Sequence, residues 1–111
     1  MKAIRAIGLI AAASAGPAAA AQPAYVGRWS HVPAVECRST PDATLTAGGL
    51  EGNEISCRFT RVEGGNGRWR MRMSCHGEGD MPNAVDLAVK GNVLEMKYPG
   101  DAKADRLTRC P

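Results

Sequence analysis

Glu54-Ile55-Ser56-Cys57-Arg58-Phe59-Thr60-Arg61 and Arg68-Trp69-Arg70-Met71-Arg72-Met73-Ser74-Cys75-His76, set on either side of Gly64-Gly65-Asn66-Gly67, decide the fold class. In the first run Ile55, Cys57 and Phe59 share one side and Ser56, Arg58 and Thr60 the other, the period of two of a half-buried strand. In the second, Trp69, Met71, Met73 and Cys75 face away from three arginines, Ser74 and His76. The four residues between them tolerate positive φ, as a tight reversal between twisted strands requires. The stretch predicts a β-hairpin.

The same reading extends to both sides. Tyr25-Val26-Gly27-Arg28-Trp29-Ser30 reads as a first strand with Trp29 inward, followed by Pro33 and a polar loop through Pro41-Asp42. Thr44-Leu45-Thr46 reads as a short second strand, and Gly48-Gly49 and Gly52-Asn53 read as punctuation before the hairpin. Beyond it, Val85, Leu87 and Val89 alternate, Lys90-Gly91-Asn92 turns, and Leu94, Met96 and Tyr98 alternate again. After Pro99-Gly100-Asp101, the segment Asp105 to Cys110 supplies a last strand. No helix-period stretch of useful length follows residue 21. The expectation is an all-β domain, a small antiparallel meander or β-barrel of about six to seven strands, because closure removes exposed edges. Its inward set is Trp29, Ile55, Phe59, Trp69, Met71, Met73, Leu87, Val89, Leu94 and Met96, with the methionines packing the interior.

Met1 to Ala21 begins with Lys2 and Arg5, continues through the apolar Ala6 to Ala15 and ends in Ala19-Ala20-Ala21, the pattern of a secretory signal peptide. Its apolar run falls short of the roughly 20 residues of a bilayer span. Residues 22–111 then form a single domain with a small core, periplasmic or secreted, with no membrane span and expected to be a monomer. The net charge of +3, less the two charges of Lys2 and Arg5, leaves +1, too little to predict a partner. Cys37, Cys57, Cys75 and Cys110 are an even set in an exported chain and predict two disulfides. Three connectivities are possible. Cys37 with Cys57 and Cys75 with Cys110 is the favoured one, since a bond across the hairpin demands unusual geometry.

The cysteines lack the close pairs of a zinc site, so neither metal nor cofactor is expected. Arg68, Arg70 and Arg72 project from one strand face with Arg58 on its neighbour, a basic stripe suited to bidentate contacts with anionic groups. Its bland alternative is a solvated face balanced by cross-strand acids. Nucleic acid is not the expected partner, because no exposed aromatic interleaves with the arginines. For catalysis only His31 and His76 offer an ordinary base, and the serine, histidine and carboxylate order of Ser74, His76, Glu78 and Asp80 is sequence proximity rather than a constellation.

Gly27-Arg28-Trp29, Cys37, Gly52-Asn53-Glu54 before Ile55-Ser56-Cys57, Trp69, Cys75, Glu78-Gly79, Gly91-Asn92-Val93-Leu94 and Arg109-Cys110 together resemble small exported bacterial four-cysteine β-barrel proteins. The resemblance covers nearly all of residues 22–111 and implies fold and compartment. In style it is similar to periplasmic inhibitors of metalloproteases and lysozymes. The former use one cysteine pair and an inhibitory arm longer than Gln22-Pro23-Ala24; the latter's cleft-filling loop motif has no counterpart here. The expected function is therefore a non-catalytic module that binds a protein or an envelope component through Arg58, Arg68, Arg70 and Arg72. The alternatives are a hydrolase-like or metal-dependent activity around His76, Glu78 and Asp80, or an envelope protein with no discrete site.

Overall fold

The computed structural model describes residues 22–31 and 41–111. The expected signal segment, and Cys37 with the loop around it, lie outside these residues. Eight strands follow one another: β1 (Gly27–Ser30), β2 (Ala43–Thr46), β3 (Gly49–Gly52), β4 (Ile55–Gly65), β5 (Arg68–Gly77), β6 (Ala84–Lys90), β7 (Val93–Lys97) and β8 (Asp105–Arg109). Each pairs antiparallel with its neighbours in sequence, and β1 pairs with β8, so the meander closes into a barrel.

Side chains alternate across the wall. Trp29, Ala43, Leu45, Leu50, Cys57, Met71, Met73, Val85, Leu87, Leu94, Met96 and Leu107 fill the interior. Of the expected inward set, Ile55, Phe59, Trp69 and Val89 are only partly buried, because they stand toward the barrel ends. Tyr25 plugs one end. Its hydroxyl donates to the Ala47 carbonyl at 3.0 Å, its ring meets Trp69 and Phe59 edge-on at 5.0 and 6.1 Å, and its carbonyl accepts the Trp29 indole N–H at 3.0 Å.

The strand count exceeds the expectation because Gly49–Gly52 is a strand, not punctuation. Leu50 is buried between Leu45 and Cys57, and Gly49 lets β4 come close: a Cβ there would sit 2.5 Å from the Cys57 carbonyl oxygen. The β4–β5 turn is Asn66-Gly67, with φ of 56° and 89°, the two left-handed residues of a type I′ reversal.

The favoured disulfide pairing is corrected. Cys57 is bonded to Cys75, directly opposite it in the hairpin, so neither the Cys37–Cys57 nor the Cys75–Cys110 pairing holds. The pair sits at a narrow position of the ladder, where the Cα atoms approach to 4.0 Å and the objection from geometry lapses.

Between Phe59 and Arg61 the β4–β5 register shifts by one residue, a bulge at Thr60. Continued without it, the row Ile55, Cys57, Phe59 would turn Arg61 inward. With it, Arg61 lies opposite the outward Arg72, and Val62 lies opposite the buried Met71.

The β1–β8 seam is the shortest ladder, with Trp29 opposite Arg109 and Ser30 opposite Thr108. Arg109 reinforces it: the guanidinium stacks 4.3 Å from the Trp29 ring and donates to the carbonyls of Val26 at 3.0 Å and Ala24 at 2.8 Å. Cys110 N–H adds a bond to the Arg28 carbonyl at 2.8 Å.

Candidate functional site

All four arginines of the expected stripe are exposed on the outer wall, but they are not equivalent. Arg70 lies between Glu63 of β4 and Asp86 of β6. It grips Asp86 with Nε on Oδ1 at 2.9 Å and Nη2 on Oδ2 at 3.4 Å. These hydrogen bonds first, then the charges of Asp86 and Glu63, hold the guanidinium further in its charged form. Arg70 is thus the balanced surface residue of the bland alternative. Arg58 faces Ser74, Arg68 faces Gly65 and Ala88, and Arg72 faces Arg61 and Ala84. Among the described residues none of these three has a carboxylate partner.

Arg61 is the residue the stripe lacked. The bulge brings it outward against Arg72, placing like charges directly opposite, an arrangement that destabilises a ladder. Its one ion pair is along its own strand, Nη2 to Glu63 Oε2 at 2.7 Å. Arg58, Arg61 and Arg72 therefore form a cationic patch around Thr60. The sequence held a signal for it, an arginine continuing the Ile55-Cys57-Phe59 row.

His76 lies near the end of β5. It is exposed opposite Ser56, and Ser56 donates to Glu51 at 2.8 Å. His76 has no hydrogen bond to Ser74, Glu78 or Asp80 among the described residues. Glu78 and Asp80 instead rim an open groove with Glu54, Ile55, Met81 and Tyr98.

At the end of the barrel away from Tyr25, the structure assembles a cluster that sequence proximity hid. His31, just after β1, lies between two carboxylates: Nδ1 is 3.0 Å from Asp42 Oδ2 and Nε2 is 2.6 Å from Asp105 Oδ2. The Asp105 hydrogen bond is the largest influence and raises the His31 pKa, partial burial opposes it, and Asp42 adds to the rise. Asp42 also accepts the His31 backbone N–H at 2.7 Å and the Ser30 hydroxyl at 2.9 Å, which lower its own pKa. Both ring nitrogens are engaged, and Ser30 donates to Asp42 rather than to the imidazole. The arrangement is a latch that ties the ends of β1, β2 and β8 together.

Among the described residues no group of three or more His, Cys, Asp or Glu side chains is placed to hold a metal ion. Nor is any helix among them long and apolar enough to cross a membrane. No protein-family model matches the chain, and neither the curated proteins nor the solved structures contain a significant match to it.

Proposed function

We propose that the chain is an exported, non-catalytic binding module that holds a phosphate-bearing component of the cell envelope on the arginine patch around the β4 bulge. The observation that carries this reading is the cross-strand Arg61–Arg72 pair, flanked by Arg58. Like charges opposed across a ladder cost stability. Glu63 offsets Arg61 along its own strand, while Arg72 has no carboxylate partner among the described residues. Guanidinium groups suit phosphate through paired N–H donors. Arg68 extends the patch along β5, while Arg70 belongs to Asp86.

Export accords with the Cys57–Cys75 bond, since disulfides persist in oxidising compartments. Cys110 is itself disulfide-bonded, and with Cys57 and Cys75 joined the sequence leaves Cys37 as its partner. A non-reducing peptide digest of the oxidised protein should yield a Cys37–Cys110 fragment beside the hairpin one.

Co-sedimentation of the oxidised protein with vesicles tests the binding reading, using phosphatidylglycerol mixed into phosphatidylcholine against phosphatidylcholine alone. At about 1 kcal/mol per arginine near an anionic surface, Arg58→Gln, Arg61→Gln and Arg72→Gln together should weaken partitioning about 100-fold. Arg70→Gln should change it little. Equal partitioning of the triple variant and the native protein, or none by either, contradicts the reading.

A further inference from the structure

The closed barrel leaves the outer half of β4 as an open edge among the described residues. β4 runs from Ile55 to Gly65, but β3 accompanies it only from Ile55 to Arg58, with one more bond from Phe59 N–H to the Gly48 carbonyl at 2.8 Å. From Thr60 to Gly65, β4 has β5 on one side and, among the described residues, no strand on the other. Proteins usually blunt such an edge with charged side chains, proline, a bulge or a covering loop. This edge has the bulge at Thr60 and the charges of Arg61 and Glu63 but leaves Val62 exposed between them. This one carries Thr60-Arg61-Val62-Glu63-Gly64.

The direction of its backbone groups follows from the ladder. Met73 sends its N–H to the Asn83 carbonyl at 2.9 Å, toward β6 and away from β4. Antiparallel residues alternate in this respect, so Met71 also bonds toward β6 and forms a non-hydrogen-bonded pair with Val62. The N–H and C=O of Val62 therefore point out from the open edge. Its side chain is the one large hydrophobic among the described residues that is exposed, at 45 %.

We propose that this edge pairs with the same edge of a second copy of the chain, antiparallel about a two-fold axis through Val62. Two copies so placed exchange reciprocal Val62 hydrogen bonds and cover the exposed side chain with its own twin. On the outer face Arg61 of each copy lies against Glu63 of the other, and Thr60 lies against Gly64. Sliding either strand by two residues sets Arg61 on Arg61 or Glu63 on Glu63, so the charges select one register. The contact is isologous and closes at two copies. The Arg61–Glu63 ion pair within each chain becomes part of an alternating square of charge. Closure of the barrel pairs most strand edges, but the overhang of β4 leaves this one open, so the dimer departs from the monomer expected of the sequence. The paired sheets carry Arg58 and Arg72 of both copies on a single face, so the dimer also doubles the patch around the bulge.

Sedimentation equilibrium of the oxidised protein without any ligand, up to about 1 mM, tests the pairing on its own, since a dissociation constant at that limit corresponds to only about 4 kcal/mol. The native protein should show a monomer–dimer equilibrium. Val62→Lys should abolish it, with a thermal melt on the same samples showing the barrel intact. Arg61→Glu alone and Glu63→Arg alone should each weaken association about tenfold or more, and the two together should restore it, because the exchanged charges again complement each other across the axis. A native protein that stays monomeric throughout overturns the proposal. So does a dimer that tolerates Val62→Lys, or a double variant that associates no better than the single ones.

Discussion

Replacing both hairpin cysteines, as Cys57→Ala with Cys75→Ala, should cost this barrel a large share of its stability. The bond spans 18 residues, and on the chain-entropy account a loop of that size restricts the unfolded chain by about 3 kcal/mol. Cys57 is buried against Leu50 in the wall, so loss of its sulfur adds a small packing defect of about 1 kcal/mol. A domain of this length changes its midpoint by roughly 4–8 °C per kcal/mol, which places the expected drop at about 16–32 °C. Circular dichroism melts of the native and double-alanine proteins measure it, with mass spectrometry confirming that the native bond is formed. A drop under about 3 °C would refute the reasoning. It would mean that the Asn66-Gly67 reversal already holds the two segments together in the denatured chain, leaving the bond little freedom to remove.

Three other outcomes are expected. Gly49→Ala should destabilise the barrel by about 1–3 kcal/mol in urea unfolding, because the new Cβ meets the Cys57 carbonyl oxygen of the adjoining strand; a neutral result would show that β3 can shift. Met71→Ala, at a fully buried position, should cost about 2–5 kcal/mol in the same assay, and a cost below 1 kcal/mol would place that side chain outside the core. The His31 latch should act in a pH window. The raised His31 pKa contributes stability fully below its ordinary 6.5 and loses it as pH rises through the folded-state value. The lowered Asp42 pKa contributes above its ordinary 3.8 and loses it as pH falls through its own. The unfolding free-energy difference between the native protein and His31→Gln should therefore peak between about pH 4 and 6.5, with an amplitude under about 1 kcal/mol because both groups are well solvated. A difference that is flat with pH contradicts the latch.

What could be read from the sequence was what neighbouring residues decide. The β4–β5 hairpin and the β6–β7 pair are each joined by short turns, and their alternation is long enough to fix both register and inward face. β3 was missed because its two glycines imitate a turn, and only pairing with Leu45 and Cys57 makes Leu50 a core residue. Tyr25, Ala43, Leu45, Leu50, Val85 and Leu107 join the interior without having been assigned to it, since most sit in segments too short or too sparsely apolar to show a face. The arginine stripe was legible as a face, whereas its division into Arg70, claimed by Asp86, and the patch around Thr60 depended on strand register. The His31 cluster joins residues 11 and 74 positions away, and no local pattern announces such a meeting.

The seam between β1 and β8 has a kinetic meaning. Every other ladder in the barrel forms between strands adjacent in sequence, but Arg109 reaches Val26 and Ala24 across separations of 83 and 85 residues. Contacts of such high order form slowly, because the chain must lose the entropy of a long loop before they return any energy. Closure is thus the natural last step of folding, and one flank of β1 stays bare until the final strand arrives. Through that interval the indole of Trp29 lacks the guanidinium that later lies over it. Trp29 fluorescence is therefore placed to time the closing of the barrel.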